Sequence, residues 1–187
     1  MGRWQPGARG RMMRGALELF IEQGFEQTTA LQIAERAGVT ERTFFRTFVD
    51  KREVLFHASH ELQERIVAAI ETTPSRAAPL EVVTGAMETA TALLEENRAY
   101  SRQRAGVIAA NKSLQERELL KMHSISQAVA DALRERGVPD LQARMAAASG
   151  VSFFSIGFEL WIADGETRTL AECIREAREQ LDALSAG

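Results

Sequence analysis

Apolar positions recur at helical spacing along most of the chain, and no stretch alternates apolar and polar residues long enough to make a convincing strand. The pattern therefore predicts an all-α fold of about nine helices. Leu17, Phe20, Ile21 and Gly24 fall at i, i+3, i+4 and i+7 and predict a first amphipathic helix over residues 11–23, stopped by Gly24. Phe25 packs under the turn that follows. Thr28 and Thr29 are cap candidates for a short second helix reaching Ala37, with Ile33, Ala34 and Ala37 on one face and Gly38 at its end. Thr40 can cap a third short helix through Thr47, whose Phe44 and Phe48 point into a small core. Asp50 can cap a long fourth helix that starts near Lys51 and carries Leu55, Leu62, Ile66 and Ile70.

The clearest break is TTPSRAAP at residues 72–79, with its two prolines. Beyond it, helices are predicted over residues 80–96, 98–110, 113–136, 141–163 and 169–184, with GVPD (137–140) and DGET (164–167) as the last breaks. Two domains follow from this order: a helix-turn-helix head over residues 1–52, and a helical regulatory and dimerisation body over 53–187, joined by the fourth helix from about residue 51. The run at 145–163 is long enough to raise the question of a membrane span, but Glu159, three serines and two glycines point to a helix buried in protein, so no membrane partner is expected.

Charge sharpens the division. Up to Arg52 there are nine Lys and Arg against six Asp and Glu, a net +3, while the remainder nets −6. A basic head on an acidic body is the electrostatic footprint of a nucleic-acid contact at one end. The single cysteine, Cys173, excludes an intramolecular disulfide, and the first ten residues lack the apolar run of a signal peptide, so a cytoplasmic location is expected. His57 and His60 stand at i, i+3 on one helix with His123 far away, too few and too scattered for a metal site. Glu95 and Glu96 are adjacent and point to different faces, as solvated charges do. With no Ser/His/Asp arrangement, catalytic carboxylate pair or glycine-rich phosphate loop, neither an enzyme nor a cofactor is expected.

The informative segment is IAERAGVTERTFF, Ile33–Phe45. A short helix stops at Gly38, Val39 tucks between two helices, and a second short helix starts at a polar cap, which is the pattern of a helix-turn-helix. In such a unit the second helix enters the major groove of double-stranded DNA and its first turn meets base edges. That turn offers Thr40, Glu41, Arg42 and Thr43. Arg42 can bond bidentately to guanine, Glu41 can accept from cytosine N4, and the threonines can reach phosphate or a thymine methyl.

The segments ALELFIEQGFEQTT (16–29), IAERAGVTERTFFRTF (33–48) and DKREVL (50–55), in this order and spacing, resemble the DNA-binding domain of the tetracycline-repressor (TetR) family. The resemblance implies base reading by Glu41 and Arg42, and backbone phosphate contacts from Thr29, Thr43, Phe45, Thr47 and Lys51. Phe45 stands where the family usually has tyrosine and cannot donate a hydroxyl hydrogen bond, and Thr47 stands where tyrosine or histidine is frequent. In the body, Ala143, Ala147, Gly150, Val151, Phe154, Phe158, Trp161 and Ile162 form one stripe, and Leu170, Ile174, Ala177, Leu181 and Leu184 another. The resemblance implies that these last two helices pair with their copies in a homodimer, with Phe154, Phe158, Ile174 and Leu181 at the interface. It also implies an effector pocket among Met87, Tyr100, Arg104, Met122, Phe153 and Trp161. The expected function is a homodimeric repressor released from a palindromic operator by an unidentified small-molecule effector. The alternative is a ligand-binding or interaction protein with a degenerate head.

Overall fold

The computed structural model of the chain describes residues 7–74 and 76–186. Its described residues form ten helices: α1 (Ala8–Gln23), α2 (Ala30–Arg36), α3 (Glu41–Thr47), α4 (Glu53–Thr72), α5 (Pro79–Ala90), α6 (Ala92–Glu95), α7 (Arg98–Ala109), α8 (Lys112–Glu135), α9 (Asp140–Ile162) and α10 (Leu170–Ala186). The fold is all-α, as the periodicity predicts. The extra element arises because the helix expected over 80–96 breaks at Thr91, whose hydroxyl donates to the Glu88 carbonyl at 2.7 Å, a local bond that competes with the helical ladder.

The chain divides into two compact units, one running to Ala58 and including Gln103–Glu118, the other made of Ser59–Arg102 and Leu119–Gly187. In the first, Met12, Leu17, Phe20, Phe25, Ile33, Phe44, Phe48, Val54, Leu55 and Phe56 are buried. Edge-on ring contacts join Phe20 to Phe25 at 5.1 Å, and tilted ones join Phe44 to Phe48 at 5.5 Å. Ile21 departs from the expected inward face and is 52% exposed. The second half of α7 and the start of α8 belong to this unit. Arg104 donates to the Leu55 carbonyl at 2.6 Å, pairs with Glu118 at 3.0 Å and lies over the Phe56 ring, while Arg117 pairs with Glu53.

The second unit is built on α5, α9 and α10, around a cluster that includes Val83, Met87, Phe153, Trp161, Leu170 and Ile174. Two glycines set how closely these helices approach. A Cβ added at Gly150 would overlap a Val83 methyl, and one at Gly157 would lie 2.8 Å from the Ile174 backbone. The carboxy-terminal end of α9 is capped by α7: Arg102 donates to the carbonyls of Ile162 at 2.6 Å and Ala163 at 2.9 Å, and Arg98 donates to that of Trp161. These bonds satisfy carbonyls that the helix itself leaves unpaired. Helix α9 is long and apolar enough to cross a membrane by length and composition alone, and its contacts with α5 and α10 are those of a helix packed in protein.

Candidate nucleic-acid interface

The helix-turn-helix is α2, a four-residue connection and α3. Thr29 caps α2, its hydroxyl accepting from the Gln32 N–H at 3.2 Å while the Gln32 side chain accepts from the Thr29 N–H at 2.8 Å. This reciprocal pair satisfies two donors that the helix start would otherwise leave open. Gln23 extends the brace, donating to Gln32 at 3.1 Å and to the Thr28 hydroxyl at 3.2 Å. The chain leaves α2 through Gly38 at φ 66°, a left-handed conformation that glycine adopts without a Cβ penalty. Thr40 then caps α3 by accepting from the Thr43 N–H at 3.2 Å.

Longer side chains fix α2 against α1. Arg36 bonds Glu22 at 2.8 Å and Glu18 at 3.3 Å, and Arg11 donates to the Ala37 carbonyl at 3.0 Å. The hydrogen bond from Arg36 holds the Glu22 carboxyl below its usual range and raises the guanidinium in turn. Asp50 accepts from the N–H groups of Arg52 at 2.7 Å and Glu53 at 3.1 Å, which makes it the cap of α4.

Within this frame the side chains expected to meet DNA fall into two groups. Glu41, Arg42 and Phe45 are exposed on α3, Phe45 to 53% with its ring edge-on to Phe44 at 5.3 Å. Neither Glu41 nor Arg42 meets an ionic or hydrogen-bonding partner among the described residues. The threonines are engaged internally: Thr29 and Thr40 as caps, Thr43 with its hydroxyl 3.0 Å from that of Thr40, and Thr47 donating to the Thr43 carbonyl at 3.0 Å. Lys51 departs most from its expected role. Its ammonium donates to the carbonyls of Phe25 at 2.8 Å, Thr28 at 3.0 Å and Glu26 at 3.2 Å, and lies over the Phe25 ring. Three donors meet three acceptors, so the side chain placed at a phosphate by sequence is a strut for the turn between α1 and α2.

Sequence reasoning missed Arg46. It is exposed in the last turn of α3, one helical turn beyond Arg42 and therefore on the same side, with no partner among the described residues. Its signal was that i, i+4 spacing.

The body residues are redistributed as well. Phe154 and Ile174, expected at a dimer interface, are buried within the chain by the packing of α9 on α5 and α10. Phe158 is half-buried, with Phe154 stacked at 6.1 Å and Trp161 at 5.8 Å, and Leu181 is exposed. The open face of α9 carries instead Leu141, Met145 and Ile156, exposed to 67%, 63% and 50%, with Ala148 and Ser152 between them. Of the expected pocket residues, Met87, Phe153 and Trp161 share one buried cluster and Met122 packs against it. Tyr100 is half-buried in the same unit. Arg104 lies in the other unit, in the bonds to Leu55 and Glu118 already described.

Comparisons with known proteins agree with this arrangement. A family model described as bacterial regulatory proteins, tetR family, matches residues 13–58, and one described as the MftR C-terminal domain matches residues 77–185. The chain is 45% identical over 78 residues to the HTH-type transcriptional regulator TcmR of Streptomyces glaucescens, a match covering 42% of this chain and 34% of that protein. It thus spans about a third of that relative's length. A TetR-family regulator from Syntrophomonas wolfei superimposes with a TM-score of 0.66 at 18% identity, over 96% of this chain and 95% of that one. The TetR regulator of Nitrosomonas europaea gives 0.64 at 16% identity, over 97% and 100%. At these identities the two structures speak for the fold.

Proposed function

Because the chain belongs to the tetR family of bacterial regulatory proteins, we propose that it is a cytoplasmic homodimeric repressor that binds a palindromic operator through α3 and leaves it when a small-molecule effector binds. The observation that carries this reading is the braced α3 with Glu41, Arg42 and Arg46 exposed and unpartnered along it. A planar five-donor guanidinium at Arg42 pairs with guanine O6 and N7, and Glu41 accepts from cytosine N4. Arg46 meets phosphate one turn later, taking the place that sequence alone gave to Lys51. Phe45, without a hydroxyl, packs on a sugar or a thymine methyl.

A palindrome requires two heads on adjacent major grooves about 34 Å apart, or at a multiple of that distance. The pairing surface we propose is the exposed stripe Leu141, Met145, Ala148, Ser152 and Ile156 of α9, with Leu181 of α10. Small residues within it allow a second helix to approach closely. The effector enters the body beside Met87, Met122, Phe153 and Trp161, where flexible methionines can yield space. It acts by binding one spread of the two heads better than the other, since a ligand shifts an equilibrium only through differential affinity. The division of labour is a DNA-binding head up to Arg52 and a regulatory body after it, with α4 between.

The test is selection from a random double-stranded pool by the full chain, followed by sedimentation of an Ile156→Arg variant. Enrichment of a two-fold symmetric site, with monomers from the variant, is expected. A pool that returns no shared sequence would leave only the ligand-binding reading with a degenerate head.

A further inference from the structure

Within the first unit, the end of α1 and the second half of α7 line an open cleft of about 480 Å³. We propose that it is a binding site for a neutral, mostly apolar small molecule bearing one hydrogen-bonding group. Its volume lies in the range of small-molecule pockets, roughly 300 to 1,000 Å³. Phe20, Phe25 and Val107 form a buried apolar floor, and Ile21 stands exposed at its edge. None of the nine lining residues is charged, in a chain where charged residues make up 26%. A charged ligand would find no counter-ion there. The Gln103 amide has no intramolecular partner among the described residues and is the group that would orient a carbonyl or hydroxyl.

Gly106 is the second, independent indication. Glycine inside a helix costs about 0.5 to 1 kcal/mol relative to alanine. At Gly150 and Gly157 close packing explains the glycine, but a Cβ at Gly106 would meet nothing within 4 Å, and its φ is not in the left-handed region. Its missing side chain therefore serves neither packing nor a turn. Exposed Gly85 of α5 shares that freedom, but only Gly106 lies in the wall of a cleft, where the missing side chain keeps the space open. A molecule seated there touches α1 in the unit that carries α3, so it acts on the head without passing through the core of the second unit.

Titration of the full chain with the neutral apolar dye Nile red tests this without DNA, and so separately from the operator reading. Saturable emission is expected from the wild type, with affinity reduced in Gly106→Ala and about tenfold or more weaker in Gly106→Phe, whose ring fills the cleft. Circular dichroism confirms that each variant is folded; should Gly106→Phe fail to fold, Ala110→Trp, which blocks the same cleft from an exposed position, takes its place. No saturable binding by the wild type, or unchanged affinity in a folded cleft-filling variant, would overturn the proposal.

Discussion

In the first unit, short helices of seven residues are held by side-chain hydrogen bonds: the Thr29 and Gln32 pair, Arg36 on two glutamates, and Lys51 on three carbonyls of one turn. In the second, long helices such as the 23-residue α9 are held by apolar contact, so close at Gly150 and Gly157 that a methyl group has no room. The difference follows from length. A seven-residue helix has little interior and many unpaired terminal groups, so caps and struts decide its position. A long helix buries a continuous stripe and needs complementary surfaces instead. The first solution leaves α3 capped by Thr40 with a free polar face. The second leaves Leu141, Met145 and Ile156 exposed on the outer face of α9.

The same substitution should therefore have opposite signs in the two units. Gly157→Ala should lower stability by roughly 1 to 3 kcal/mol, because its Cβ meets the Ile174 backbone and that backbone cannot yield cheaply. Gly106→Ala should raise it by about 0.5 to 1 kcal/mol. Thermal and urea melts of both variants measure this, and destabilisation by both would erase the contrast. Lys51→Ala should cost about 1 kcal/mol, because the part-buried carbonyls of Phe25 and Thr28 lose their donor. It should lower the melting temperature without DNA present; an unchanged melt, with weakened binding to operator and random DNA alike, would return Lys51 to the phosphate role.

How far the sequence was legible follows the same division. Gly24, Gly38, Thr29, Thr40 and Asp50 were readable as stops and caps because capping is local: the residue and its partners lie within four positions. The contacts Lys51 makes within the chain are not legible, because its acceptors lie 23 to 26 positions away and nothing in DKREVL announces them. Ile21 fits the apolar face of α1 by period, yet α7 does not cover it. In α9 an apolar helix offers two faces, and periodicity cannot tell which one the chain covers. Phe154 went to the intrachain core, and Leu141, Met145 and Ile156 were left outside. Arg104 looked like a pocket residue by its place on α7, but that helix contributes to both units.

A smaller effect is expected from acid. The Arg168 guanidinium and the N–H groups of Arg168 and Thr167 beside Glu166 lower its carboxyl from 4.5 to about 2. A depressed folded-state value contributes stability above the unfolded value and loses it as pH falls through the folded one. Wild-type urea midpoints should therefore fall between pH 4.5 and about 2 more steeply than those of Glu166→Gln. Parallel curves would remove Glu166 from the acid response. In the head, Glu22→Gln should flatten the curve in the same direction, through loss of its bond from Arg36.

The central claim, that α3 reads bases from a face left free by the struts around it, is tested most directly at Arg42. Fluorescence anisotropy would compare wild type and Arg42→Ala on a selected operator and on scrambled DNA, at several salt concentrations. A loss of roughly 1 to 3 kcal/mol per half-site is expected on the operator, much less on scrambled DNA, with a largely preserved salt slope. Equal losses on both sequences, with a shallower salt slope, would show that Arg42 meets only phosphate and that another surface reads the bases.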